Sequence, residues 1–152
     1  MPAAHALVQS AEDLERAASP LDVDELWATP GGAASVGFHL RHIAGSIDRL
    51  LTYARGGALD DRQRAVLAGE GMAGSPPAEA PELVRLARGA IDHALDTLRA
   101  TPRESLLEAR RVGRAGLPST VLGLLVHVAE HTQRHTGQVI TTAKIVRGVR
   151  RA

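Results

Sequence analysis

The sequence predicts an all-α protein, an antiparallel four-helix bundle with a long connection between its second and third helices. Apolar residues recur every three or four positions through most of the chain, which is the period of a helix that packs one face on a core. No segment shows the apolar and polar alternation of a strand. With 152 residues, of which 44% are hydrophobic, the chain has the size of one domain, and we expect a single domain over residues 1–152.

The first two long helices are bounded by residues that stop a helix. The first is predicted over residues 4–18, because Ser19-Pro20 does not continue it. A short helical turn is predicted over residues 22–27. The second long helix is predicted over residues 34–55, where Gly56-Gly57 supplies the stop.

Irregular segments and helices alternate in the second half of the chain. Residues 69–81 are rich in Gly and Pro and are predicted to form a surface connection long enough to cross a bundle end. The third long helix follows, from residue 81 or 82 to residue 100. Residues 101–118 are predicted to be an irregular or partly helical link. Ser119 is a suitable N-cap for the last helix, predicted over residues 120–147.

The composition excludes several classes of function. Lys and Arg total 18 against 17 Asp and Glu, so the chain lacks the excess positive charge of proteins that bind nucleic acids or anionic membranes. The absence of cysteine excludes disulfides and a cysteine nucleophile, and it leaves His, Asp and Glu as metal ligands. The longest stretch without a charged residue, 115–129, falls short of the roughly 20 apolar residues that a membrane span needs. No signal peptide is recognisable, so a cytoplasmic protein is expected.

Three of the seven histidines follow one another at steps of four on the predicted last helix. Each such step returns to within about 40° of the same direction, so His131 and His135 can aim two imidazoles at one point. The same arithmetic places them in the middle of the core-facing stripe, with His127 on its flank. A buried unpaired polar group costs about 1–3 kcal/mol, which favours a metal ion on both rings over a backbone carbonyl or a water on each.

A third ligand is expected from another helix, because catalytic metals commonly have three protein ligands and an open position. The second helix offers His39 and His42, and helical periodicity leaves both open. His5 and His93 are expected to be surface residues. The last-helix pair differs from that of zinc proteases, since Thr132 stands where those enzymes carry a general-base Glu.

Two segments, SVGFHLRHIAGS at residues 35–46 and HVAEHTQRHTGQ at residues 127–138, resemble the signatures of the DinB-like (YfiT-related) metal-binding four-helix proteins. In that family a His followed by Ile-Ala-x-Ser is a metal ligand, which the resemblance assigns to His42. It assigns the paired ligands to His131 and His135. The resemblance implies a divalent metal, zinc or nickel, with Gly137 allowing close helix approach and Gln138 supporting the site.

The same resemblance implies either a metal-dependent hydrolase or an enzyme that uses a low-molecular-weight thiol such as bacillithiol or mycothiol. We favour a thiol transferase acting on a small molecule, because no carboxylate shares the predicted ligand directions and Asp48 points away from His42. A thiol, with a pKa of about 8.5, ionises on a metal with less help than water needs. The alternatives are a hydrolase, or a non-catalytic metal-binding or stress-related protein with His39 or His127 as a fourth ligand.

Several further residues are candidates for the same site. Arg49 and Tyr53 share the direction of His42 and are candidate substrate-binding residues, although structural roles would also explain them. His39 and His127 are candidates for supporting the metal ligands. A basic cluster is either a solvated loop or a recognition site for an anionic substrate: Arg103, Arg110, Arg111 and Arg114. The alanine-rich first and third helices also predict a homodimer.

Overall fold

The computed structural model describes residues 1–149, so the last three residues of the expected domain lie outside the described part. The protein is mostly helical, as predicted. The α-helices within residues 1–149 are α1 (Pro2–Ala18), α2 (Val23–Trp27), α3 (Val36–Ala54), α4 (Asp61–Gly69), α5 (Ala80–Ala100) and α6 (Val121–Val149), and two short 3-10 helices lie at Pro30–Gly32 and Arg103–Ser105.

The four long helices, α1, α3, α5 and α6, pack around one hydrophobic core. Both α1 and α3 contact both α5 and α6, so each long helix has two long neighbours. Every long helix contributes completely or almost completely buried aliphatic side chains, including Leu14, Ile47, Ile91 and Leu124. In the described part of the chain, no helix combines the length and apolar character that a membrane crossing requires.

Two short strands stand where the sequence predicted an irregular or partly helical link. Strand β1 (Ala109–Val112) pairs antiparallel with β2 (Leu117–Thr120). The expectation that no strand is present is therefore wrong here. Each strand has four residues, which is too short for alternation to stand out in the sequence. The hairpin also depends on a tertiary contact, because Arg110 Nε donates to the carbonyl oxygen of Ala54 at the end of α3 (2.7 Å).

Side-chain caps fix two helix starts close to the predicted positions. The Ser35 hydroxyl accepts a hydrogen bond from the Phe38 amide (3.1 Å), so α3 begins at Val36. The prediction that Ser119 caps the last helix is wrong, because Ser119 lies in β2. Thr120 Oγ1 instead accepts from the Gly123 amide (3.0 Å), and α6 begins one residue later than predicted.

The connection between α3 and α5 contains a helix, α4, that the sequence analysis did not predict. Asp60 and Gln63 form a reciprocal capping box at its start. Gln63 is buried and its Nε2 donates to Thr52 Oγ1 (2.8 Å), which docks α4 on α3. The end of α4 thereby brings Glu70 to the side of α3 that carries His42.

Candidate metal centre

Helices α3 and α6 pack against each other and bring four histidines together, two from each helix. Three of them, His42, His131 and His135, place one ring nitrogen each within 4.8 Å of the others. The Nε2 atoms of His42 and His131 are 3.0 Å apart. The ring centre of His135 lies 4.4 Å from that of His42 and 4.6 Å from that of His131. These distances suit imidazoles that converge on one small ion.

The two histidines of α6 flank the core, which corrects the prediction that they lie in the middle of its apolar stripe. Thr132 and Thr136, the next residues along the helix, are the buried ones. Each threonine hydroxyl donates to the carbonyl four residues earlier (2.8 Å in both cases). Because this bond lies within the helix, both hydroxyls can be buried in the core and need no partner from another element. His131 and His135 are consequently half-buried and remain open to ligands.

Burial keeps the two α6 histidines neutral in the metal-free protein. Desolvation, followed by repulsion from His42, lowers the pKa of His131 to about 4 and that of His135 to about 4. Neutral imidazole is the form that binds metals, because a protonated ring has no lone pair to offer. The Nδ1 atom of His131 is also buried with no hydrogen-bond partner among residues 1–149.

A buried carboxylate that the sequence analysis missed contacts His42. Glu70 Oε2 lies 2.7 Å from His42 Nδ1, and Glu70 Oε1 accepts from Arg49 Nη1 (2.7 Å). The Glu70 side chain is 2% exposed. Burial alone would raise the pKa of this carboxyl, but the hydrogen bonds from His42 and Arg49 outweigh it and lower the pKa below its usual value.

Gly45 leaves the space in which Glu70 and Arg49 meet. A Cβ atom at this position would lie 2.4 Å from Glu70 Oε1 and 2.7 Å from Arg49 Nη1, both closer than van der Waals contact allows. The absence of a side chain at position 45 therefore makes room for Glu70, which follows 25 positions later in the chain.

The other histidine of α3, His39, lies behind the three-histidine cluster. Its side chain is buried, and its Nδ1 is 3.1 Å from Nδ1 of His135. Desolvation and the nearby His42 lower its pKa. Phe38 stacks on the ring of His42, with ring centres 5.4 Å apart. Periodicity left His39 and His42 open, and the structure places His42 in the cluster and His39 against one of its members.

The remaining predicted site residues occupy different surroundings. His127 is exposed and its Nδ1 lies 3.0 Å from Glu130, while its ring centre is 5.5 Å from that of His131. Gln138 is exposed. A Cβ at Gly137 would meet nothing within 4 Å in the described structure, so this glycine does not accommodate a neighbouring helix there. His5 and His93 are exposed, as expected.

A cavity of about 660 Å³ opens beside His42 and His131. No Asp or Glu of the described chain lines it. Its polar lining consists mainly of Arg49, Tyr53, Arg64, Arg114 and His127. A slightly larger cavity, about 720 Å³, lies between α3, α4 and α5 and has Glu70 in its wall. Two of the three clustered histidines, His42 and His131, line the smaller cavity and none lines the larger one.

The basic cluster predicted from the sequence is divided by the hairpin. Arg110 bonds to Ala54 and to Glu108, and Arg111 donates to the Gly116 carbonyl, so both are engaged in local structure. Arg103 is exposed. Arg114 reaches the cavity and has no hydrogen-bond or ion-pair partner among residues 1–149. Of the four arginines, Arg114 is thus the one placed to meet a ligand beside the histidines.

Comparison with known families gives a match over most of the chain. The model of the DinB superfamily matches residues 6–139, a span that includes His39 and the three clustered histidines. No curated protein matches the sequence.

Proposed function

Since the chain belongs to the DinB superfamily, we propose that it binds one divalent transition metal, zinc or nickel, through His42, His131 and His135. We further propose that the metal site serves a low-molecular-weight-thiol S-transferase. The antiparallel four-helix bundle of the superfamily is proposed as the arrangement of α1, α3, α5 and α6. The observation that carries the proposal is the convergence of three imidazole nitrogens within 4.8 Å beside an open cavity.

The donor set fits a metal of this kind. Imidazole nitrogens suit zinc and nickel, and three protein ligands leave room for a further ligand. The carboxylate of Glu70 occupies Nδ1 of His42, so Nε2 is the nitrogen free to bind. The nitrogen of His131 that faces Nε2 of His42 is Nε2 (3.0 Å), and the neutral form of this ring is available at pH 7.

The residues around the cluster favour a thiol over water as the nucleophile. A bound divalent metal would supply charge that lowers the pKa of a thiol from about 8.5 and holds it as the thiolate. Activation of water normally needs a nearby base as well, but no carboxylate lines the described cavity. Both oxygens of Glu70 are engaged by His42 and Arg49. The chain contains no cysteine, so the thiol comes from a second molecule.

The cavity suits a small, anionic substrate or thiol. Arg114 is unpaired at its rim in the described structure, and Arg64 shares the rim although it also bonds to Asp61. Tyr53 is half-buried in the lining and offers a hydroxyl. Arg49 lines the same cavity, with one guanidinium nitrogen committed to Glu70. We propose that Arg114 and Tyr53 contact the substrate and that Arg49 faces it from beneath.

Cobalt substitution tests this proposal. The protein is purified without a nickel column, stripped, loaded with Co²⁺ and titrated with 2-mercaptoethanol. A sulfur-to-cobalt charge-transfer band that grows with thiol and is absent from His42→Ala supports a thiol site. Turnover of ester or amide substrates with no spectral response to thiol would replace the transferase with the hydrolase. Failure to bind any metal would refute the proposed metal site and both enzymes with it.

A homodimer is proposed for the assembled protein. Helices α1 and α5 expose aliphatic side chains, Val8 on α1 and Leu86 on α5. Such residues are suited to burial against a second copy. Light scattering at micromolar concentration tests the proposal, and a monomer mass would refute it.

A further inference from the structure

The carboxylate of Glu70 connects one candidate metal ligand to one buried cation. We propose that Glu70 is a positioning residue that fixes the tautomer of His42, and that Arg49 fixes the orientation of Glu70. This inference rests on the proposed metal site, and it assigns roles at that site to two residues that are not metal ligands.

The contact between Glu70 and His42 determines which ring nitrogen carries the proton. An ionised carboxylate only accepts hydrogen bonds, so at 2.7 Å the neutral His42 ring must donate from Nδ1. The lone pair of the ring then resides on Nε2. That atom is the one 3.0 Å from Nε2 of His131, on the side where the three histidines converge. Glu70 therefore directs the lone pair of His42 towards the proposed metal.

Arg49 holds the second oxygen of the same carboxylate. A guanidinium only donates, and its Nη1 lies 2.7 Å from Glu70 Oε1. Both side chains are buried, with exposed fractions of 9% for Arg49 and 2% for Glu70. Each oxygen of Glu70 thus faces one donor, and a buried arrangement of this kind leaves the carboxylate little freedom to rotate.

The chain segment that carries Glu70 is held on two sides. On one side, Gln63 of α4 donates to Thr52 on α3. On the other, the Arg41 guanidinium donates to the carbonyl oxygens of Gly69, Met72 and Ala73. These contacts dock the end of α4 on α3 and place Glu70 beside His42 independently of the ligands on α6.

Glu70→Gln separates this role from a merely structural one. The amide has almost the shape of the carboxylate but offers one donor and one acceptor. Because Arg49 can only donate, the Gln oxygen must face Arg49 and its NH₂ must face His42 Nδ1. That nitrogen then has to accept, which moves the ring proton to Nε2 and removes the lone pair from the metal side. We expect metal affinity to fall about 10- to 100-fold, the range for partners that orient metal-binding histidines.

The double variant Arg49→Met with Glu70→Gln provides a rescue. Without Arg49, the Gln side chain can turn its oxygen to His42 and restore the proton to Nδ1. We expect the double variant to recover most of the affinity lost by Glu70→Gln alone. If Glu70 only fills space, removing a second buried side chain would make binding no better.

A matched control is available on α6. Glu130 also contacts a histidine, His127 (3.0 Å), and an arginine, Arg134, but this trio is exposed. Glu130→Gln makes the same chemical exchange at an exposed carboxylate whose hydrogen-bond partners, His127 and Arg134, are not among the three proposed ligands. We expect its metal affinity to stay much closer to that of the wild type than the affinity of Glu70→Gln does.

The experiment measures Zn²⁺ affinity by chelator competition for the wild type and these variants, and the ring ¹⁵N shifts of His42 in metal-free protein by NMR. The inference requires an Nδ1-protonated His42 in the wild type, an Nε2-protonated one in Glu70→Gln, and rescue in the double variant. An Nε2-protonated wild type overturns it even if Glu70→Gln does not fold. A wild type that binds Zn²⁺ no better than Glu70→Gln overturns this inference alone, whereas a wild type that binds no metal overturns the proposed function as well.

Discussion

The Nδ1 atoms of His39 and His135 lie 3.1 Å apart, although the two residues are 96 positions apart in the chain. His39 is 4% exposed, so this contact is made in the interior. One ring must donate to the other, and the contact occupies Nδ1 of His135. The nitrogen of His135 left for a metal is then Nε2, and His39 contacts His135 without joining the cluster.

Because His39 contacts the cluster without belonging to it, His39→Ala and His42→Ala should differ in how much metal they bind. His42→Ala removes a member of the three-nitrogen cluster, and we expect bound metal to fall from about one ion per chain to almost none. His39→Ala leaves the cluster intact, so its metal content should stay near one while its affinity falls, by about 10-fold or more. Elemental analysis after dialysis, without a nickel column, measures both. Loss of metal in His39→Ala with retention in His42→Ala would reverse the assignment.

The stability of the metal-free protein should rise with pH between about pH 4 and pH 6.5. Desolvation and the nearby His42 lower the pKa of His131 and His135 from 6.5 to about 4 in the folded state. The unfolded chain therefore binds more protons in this window, and stability is lost as the pH falls through it. The pKa of Glu70 is also lowered in the folded state, so stability is lost further as the pH falls and this carboxylate is protonated.

Urea unfolding of metal-free protein at several pH values measures this dependence. Replacing His131 and His135 together by Asn should flatten the slope between pH 4 and pH 6.5. His93→Asn, at an exposed position, should leave the slope unchanged. A wild-type midpoint that does not vary over this window would contradict the prediction.

The long helices were predictable because their signals are local. The period of apolar residues and the stops after residues 18, 55 and 100 depend on neighbours in sequence. The capping box of Asp60 and Gln63 is also local and was a usable signal for α4 that the sequence analysis overlooked. The β hairpin was not predictable in this way, because its strands are short and Arg110 ties it to the end of α3.

The site was predictable only in part, for a similar reason. Spacing pairs His131 with His135, but the choice between His39 and His42 depends on how α3 faces α6. Glu70 follows the segment AVLAG at residues 65–69, and nothing in that segment indicates which way its carboxylate points. Its role follows from the docking of α4 and from the space left by Gly45, both of which are tertiary features.

Gly45→Ala should weaken metal binding even though alanine favours helices. The new Cβ would lie 2.4 Å from Glu70 Oε1 and 2.7 Å from Arg49 Nη1, so the two side chains must shift and their hold on His42 is weakened. We expect about a 10-fold loss of Zn²⁺ affinity by chelator competition. Gly89→Ala is the control, because a Cβ there meets nothing within 4 Å. It should gain about 0.5–1 kcal/mol of stability. Equal Zn²⁺ affinities in the two variants would count against the role of Gly45.

Arg114→Ala should reduce the affinity of the cobalt protein for an anionic thiol and leave a neutral thiol unaffected. Arg114 lines the cavity beside His42 and His131 and has no partner within residues 1–149, so its charge is available to a ligand. It is also exposed, so the contact is screened by solvent, and the loss for mercaptoacetate should not exceed about fivefold. For 2-mercaptoethanol, which carries no charge beyond its thiol, no change is expected.

Arg103→Ala is the matched control, since Arg103 is an exposed arginine of the same segment that does not line the cavity. The difference between wild type and Arg114→Ala should shrink as salt is added, because ions screen exposed charges. Titration of the charge-transfer band with both thiols, at low and high salt, measures all of these effects. If Arg103→Ala and Arg114→Ala lose the same affinity, the general charge of the surface accounts for binding and the specific contact is refuted.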